Sequence, residues 1–108
     1  MKSVAGGFLE RMYMTEGLDD FRRRIDECDK ALVELINKRL GICLEVGDFK
    51  AERGMEVRHP DREMEVIDRA AAHNGGPCPD DAVKKVFRLL IDTAVELEEN
   101  HDIARPEK

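Results

Sequence analysis

Two cations stand where a helix should be apolar. In NKRLGICLEVGDFK, residues 37–50, the apolar residues Ile42, Cys43, Val46 and Phe49 continue a stripe from Leu32, Leu35 and Ile36. At about 100° per residue that stripe spans roughly 220° to 360°, and Arg39 falls near 300° and Lys50 near 320°, both at its centre. The two are three turns apart, so they point the same way about 16 Å apart along the axis. Arg22 falls near 40°, about 100° round from Arg39. A cation on an apolar stripe ordinarily snorkels its head to water. An arginine in mid-helix with a lysine in register points instead to a polar pocket cut into the core. Buried charge is costly unless it is paired, so something anionic should face them.

The later segments repeat the pattern. Glu63 lies in the middle of an apolar face made by Val66, Ile67 and Ala70, with Arg62 beside it. Glu98 falls between the directions of Phe87 and Ile91, toward the edge of its stripe. Each carboxylate has an ordinary explanation: Glu63 as a partner of a helix N-terminus, Glu98 as an exposed residue near a C-terminus. Gly41 and Gly47 each cost a helix about 1 kcal/mol relative to alanine, which fits close helix packing or room for a ligand. Together, inward Arg39, Lys50, Glu63 and Glu98 describe a small buried site for an anion bearing hydroxyl or ether oxygens. His59, His73 and His101 have no metal-ligand spacing with the cysteines or carboxylates. Nucleophile motifs, phosphate loops and dinucleotide fingerprints are missing too. An enzyme built on these residues works without a cofactor or metal and without a covalent intermediate.

What positions them is helical. The 108 residues suit one domain. With 39% charged residues and only 5% aromatics, the chain reads as a helical protein with a thin aliphatic core. A net charge of −6 weighs against nucleic acid as a partner. Arg22-Arg23-Arg24 is a local exception that acids follow closely, at Asp26, Glu27 and Asp29. Cys28 and Cys43 fall about 20 Å apart on one helix and cannot bridge within the chain. They fit buried thiols in a reducing compartment, with Cys78 as the third. The N-terminal stretch has no apolar run long enough for a signal peptide or a membrane span, so a cytoplasmic address is expected.

The spacing predicts a long helix over about Leu18–Arg53, ended by Gly54 at its C′ position. A second runs from Pro60 to about His73. After the break NGGPCPDD, a third capped by Asp80 or Asp81 covers about Ala82–Asn100. Residues 1–16 read as a flexible extension, 17–101 as the helical domain and 102–108 as a frayed tail. A first helix of roughly 50 Å is too long for one compact three-helix unit to cover. The expected architecture is therefore all-α, with long, short and medium helices in an intertwined homodimer.

The segments LDDFRRRIDECDKALVELINKRLGICLEVGDFK, R-HPDREMEVI and VFRLLIDTAVELEE resemble the all-helical class of chorismate mutases. The match covers about residues 18–100. The most specific elements are the Arg…Asp…Arg…V-G-x-x-K pattern of the first helix and the D-R-E opening the second. The resemblance implies an isomerase of aromatic amino acid biosynthesis that converts chorismate to prephenate by a Claisen-type rearrangement. It also implies an intertwined dimer with two active sites. Arg39 and Arg22 from the second chain would bind the substrate carboxylates, and Arg62 would assist there. Lys50 would bond the ether oxygen and one carboxylate. Glu63 would accept from the ring hydroxyl, helped by backbone near His59. Asp29 would orient a neighbouring arginine.

Two positions depart from the family pattern. Many members carry glutamine where Glu98 stands, donating to the ether oxygen. A glutamate donates only when protonated, so burial should raise its pKa and activity should fall as pH rises through it. Ala94 stands where some relatives have a hydroxyl, so one carboxylate contact would be missing. Isochorismate pyruvate lyase shares the scaffold and is the near rival. A non-catalytic helical dimerisation or ligand-sensing domain is the rival from another class.

Overall fold

Gly54 ends the first helix as expected. Its φ is +65°, a conformation that glycine adopts without a Cβ penalty. The amide of Met55 donates to the Lys50 carbonyl at 2.9 Å and that of Gly54 to the Ala51 carbonyl at 3.3 Å. That pair of bonds is a Schellman cap. A computed structural model describes the backbone of residues 4–104 and the side chains of residues 17–100. Its elements are α1 (Val4–Glu52), α2 (Pro60–His73) and α3 (Asp80–Ala104), with no strand among the described residues.

Two boundaries differ from expectation. α1 begins at Val4 rather than near Leu18, because Leu9, Glu10, Arg11 and Met12 are good helix formers that outweigh nearby glycines. α3 starts at Asp80, which places Asp80 and Asp81 inside its first turn, and it ends at Ala104 rather than near Asn100. The expected extension 1–16 and tail 102–108 thus overlap helices, and residues 1–3 and 105–108 lie outside the described residues. α2 starts on Pro60, as its ring-fixed φ favours, and ends at His73 as expected. No described helix is long and apolar enough to cross a membrane.

The chain divides into two units, Met1–Leu35 and Ile36–Lys108, with the division inside α1. In the first unit, Leu18, Phe21, Ile25, Leu32 and Leu35 are between 48% and 64% exposed. Charged pairs one turn apart line the same stretch: Arg22 with Asp19, Arg23 with Asp20 and Lys30 with Glu34. Such solvated pairs each contribute only tenths of a kcal/mol or so.

In the second unit α2 packs against α3. Ile67 and Ile91 are buried, with Ala94 beside them in the same small core. Full burial of each isoleucine is worth about 1.5–3 kcal/mol. Asn74 organises the intervening loop. Its Nδ2 donates to the Cys78 carbonyl at 2.6 Å and to Asp80 Oδ1 at 2.7 Å, and its Oδ1 accepts from the Gly76 amide at 3.1 Å.

Candidate active site

All three helices of the second unit contribute to one cavity of about 220 Å³. From α1 come Arg39, Cys43, Val46 and Lys50. From the α1–α2 loop come Val57 and His59. α2 gives Arg62, Glu63 and Val66, and α3 gives Ile91, Ala94, Val95 and Glu98. The cations and carboxylates read from the sequence as inward-facing therefore line a common space, separated by aliphatic walls.

Lys50 does not snorkel away. Its Nζ donates to the Val57 carbonyl at 2.9 Å, which ties the loop to α1 and holds the ammonium at the cavity wall. The Arg39 guanidinium lies 5.8 Å from the centre of the Phe87 ring, within cation–π range, and Nη1 donates weakly to Cys43 Sγ at 3.8 Å. Burial pushes the Cys43 thiol above its ordinary pKa, while Arg39 pulls the other way. Arg62 lines the cavity from the start of α2 and donates to Glu65 at 2.9 Å.

Glu98 is only 6% exposed, so it is not the exposed C-terminal residue that its wheel position allowed. Gly47 makes room for it: a Cβ there would stand 3.0 Å from Glu98 Cγ. Close approach is thus the reason for glycine at 47, whereas Gly41 has nothing within 4 Å. Ala94 is buried in the same wall and brings no hydroxyl.

Glu63 is held by partners that the sequence did not reveal. Arg58 donates through Nε to Oε2 at 3.1 Å and through Nη2 to Oε1 at 2.8 Å. Arg88 Nη1 donates to Oε1 at 2.9 Å. Asp92 Oδ1 accepts from both arginines, at 3.0 Å from Arg58 and 3.3 Å from Arg88. The Arg58 hydrogen bond chiefly, with Arg88 adding to it, holds the Glu63 carboxyl down at about 2 against the opposing effect of burial. Both guanidiniums are in turn pushed up, Glu63 being the first cause for each. Glu63 is thus a fixed, ionised acceptor rather than only a partner for the α2 N-terminus.

His59 lines the cavity, and its ring Nε2 bonds to the Glu56 carbonyl at 2.9 Å. Arg22 and Asp29 lie in the other unit and are exposed there, with Arg22 3.9 Å from Asp19. Within its own unit the cavity can bind an anion with Arg39, Lys50 and Arg62, accept a hydrogen bond at Glu63, and keep a reacting bond among aliphatic side chains. Hydrogen-bonded cations inside apolar walls act more strongly than in water.

Known proteins resemble the chain in sequence and in fold. The family model for chorismate mutase type II matches residues 21–99. A chorismate mutase of Methanocaldococcus jannaschii is 30% identical over 83 residues, 73% of this chain and 81% of that protein. A 4-amino-4-deoxychorismate mutase of Streptomyces pristinaespiralis is 33% identical over 82 residues, 75% of this chain and 60% of its own length. A bifunctional chorismate mutase/prephenate dehydratase of Aquifex aeolicus is 27% identical over 93 residues, 82% of this chain, which spans 26% of that protein. A solved chorismate mutase from Thermus thermophilus superposes with a TM-score of 0.73 at 28% identity, covering 76% of this chain and 93% of the other. The chain belongs to the chorismate mutase type II family.

Proposed function

We propose that the protein is a chorismate mutase that rearranges chorismate to prephenate without cofactor, metal or covalent intermediate. The observation that carries the reading is the convergence of Arg39, Lys50, Arg62, Glu63 and Glu98 on one apolar-walled cavity. In the rearrangement the C–O bond breaks ahead of C–C bond formation, and negative charge grows on the ether oxygen. Lys50 and a protonated Glu98 stabilise that charge, which preorganised donors do without reorganising. Arg39 and Arg62 hold the carboxylates, and the clamp keeps the side chain over the ring, lowering the entropic barrier. Glu63 accepts from the ring hydroxyl beside the backbone of His59. Ala94 leaves the neighbouring carboxylate one contact short.

A second copy of the chain completes the site. Leu18, Phe21, Ile25, Leu32 and Leu35 form an exposed apolar stripe, and covering it in a homodimer brings Arg22 of the partner subunit to the substrate. Asp29 then orients a neighbouring arginine. The three thiols are free, and Cys28 is exposed rather than buried as expected; free thiols fit a reducing, cytoplasmic setting.

The test is chorismate consumption followed by absorbance, with Arg39→Ala alongside. The wild type consumes chorismate and forms prephenate. Arg39→Ala loses about a hundredfold or more, as removal of a preorganised charge contact does. The wild-type rate falls as pH rises through the titration of Glu98, because Glu98 donates only while protonated. Full activity in Arg39→Ala would sink the site assignment, and pyruvate released from isochorismate without prephenate from chorismate would favour the lyase.

A further inference from the structure

The chorismate mutase reading leaves open which ring substituent the cavity accepts, and the partners of Glu63 bear on it. We propose that Arg88, together with Arg58 and Asp92, balances the charge of Glu63 and so selects a substrate ring bearing a hydroxyl over one bearing an amine. This inference rests on the proposed function.

Glu63 is the cavity's acceptor for a ring substituent, and its Oε1 already accepts from Arg58 Nη2 at 2.8 Å and Arg88 Nη1 at 2.9 Å. Asp92 accepts from the same two guanidiniums. Two cations and two anions form one hydrogen-bonded cluster, so its net charge is zero. The rest of the cavity adds the cations Arg39, Lys50 and Arg62, with Glu98 as its other carboxyl group. A neutral hydroxyl can still donate to the carboxylate, which has acceptor positions beyond those the arginines use. An amine replacing that hydroxyl carries a positive charge at neutral pH. It meets a carboxylate already neutralised and two guanidiniums next to it, and juxtaposed like charges are strongly disfavoured. The similar Streptomyces protein named for 4-amino-4-deoxychorismate shows that both substituents occur among relatives.

Arg88 is the separable member. It reaches Glu63 from α3, 25 residues away. Replacing it by glutamine keeps an N–H donor while removing one positive charge.

The experiment measures kcat/KM for chorismate and for 4-amino-4-deoxychorismate in the purified full chain. The wild type favours chorismate. Arg88→Gln shifts the ratio toward the amine by about tenfold, since one unit charge within several ångströms is removed at an intermediate dielectric. Arg88→Lys keeps the wild-type ratio because it restores the charge. Asp92→Asn leaves the cluster net positive and moves the ratio the other way, so it decides the matter if Arg88→Gln does not fold. An unmoved ratio in folded, active Arg88→Gln, or equal shifts in Arg88→Gln and Arg88→Lys, overturns the inference. A wild type that turns over neither compound overturns the chorismate mutase reading and the inference with it.

Discussion

Residues 17–35 and residues 36–100 carry similar apolar periodicity, and the buried side chains named among the described residues all fall in the second stretch. In the first stretch the stripe faces water: Phe21 is 58% exposed and Leu35 64%. In the second, Ile67, Ile91 and Ala94 are below a tenth exposed and charged side chains turn inward around a cavity, although Ile42, Val46 and Phe49 of α1 remain 41–51% exposed. Periodicity therefore says which face of a helix is apolar and not what covers it. Cover found within a unit builds a site. Cover not found there has to come from elsewhere, and on the proposed reading it comes from a second copy whose Arg22 reaches the substrate.

The largest test breaks that contrast directly. Arg22→Ala and Arg39→Ala should each lose about a hundredfold or more of activity alone. Mixed in equal amounts and allowed to exchange subunits, they should regain about a quarter of wild-type activity, because half the dimers are hybrids with one intact site each. The measurement is chorismate turnover before and after mixing, with subunit exchange followed by light scattering and mass spectrometry of tagged chains. Exchange without recovery would place Arg22 and Arg39 on one chain's site, or Arg22 outside it.

Much of this was legible because it is local. The Gly54 cap depends on a few residues, and so does the shared direction of Arg39 and Lys50, eleven positions apart on one helix. Glu98 was harder. The wheel put it at a stripe's edge, and it is buried because α1 presents Gly47 to it. The Glu63 cluster was out of reach. Arg58 sits in a loop and Arg88 on another helix, so only the tertiary fold brings them to one carboxylate. The start of α1 was placed too late because good helix formers at residues 9–12 carry the helix past the N-terminal end of the apolar stripe.

A middle-sized effect sharpens the contrast inside the cavity. Gly47→Ala should raise helix propensity by about 1 kcal/mol while forcing its Cβ against Glu98 Cγ at 3.0 Å. Stability should change little. Activity should fall about ten- to a hundredfold, as small misplacements of catalytic groups do. Thermal melting together with kcat separates the two. A large loss of stability with normal kcat per folded molecule would mean that Gly47 serves packing alone.

The smallest effect concerns acid. Glu63 titrates at about 2 in the folded chain against an ordinary 4.5. A carboxyl whose folded pKa is depressed contributes stability that is present above its unfolded value and is lost as pH falls through the folded one. The cluster's contribution should therefore be complete above about pH 4.5 and fade toward pH 2, the two values between which Glu63 is protonated more readily unfolded than folded. Glu63→Gln should lower the urea midpoint at pH 7, and the gap to wild type should close as the pH drops toward 2. Screening keeps the gap modest, since the Arg58 side chain is 47% exposed. Asp19→Asn is the counterpart in the exposed stretch, where both members of the Arg22 pair are about two-thirds exposed, at 66% and 67%. It should show no gap at any pH. A gap at Asp19 equal to that at Glu63 would mean that the two stretches hold their charges alike, and the contrast between them would lie in apolar cover alone.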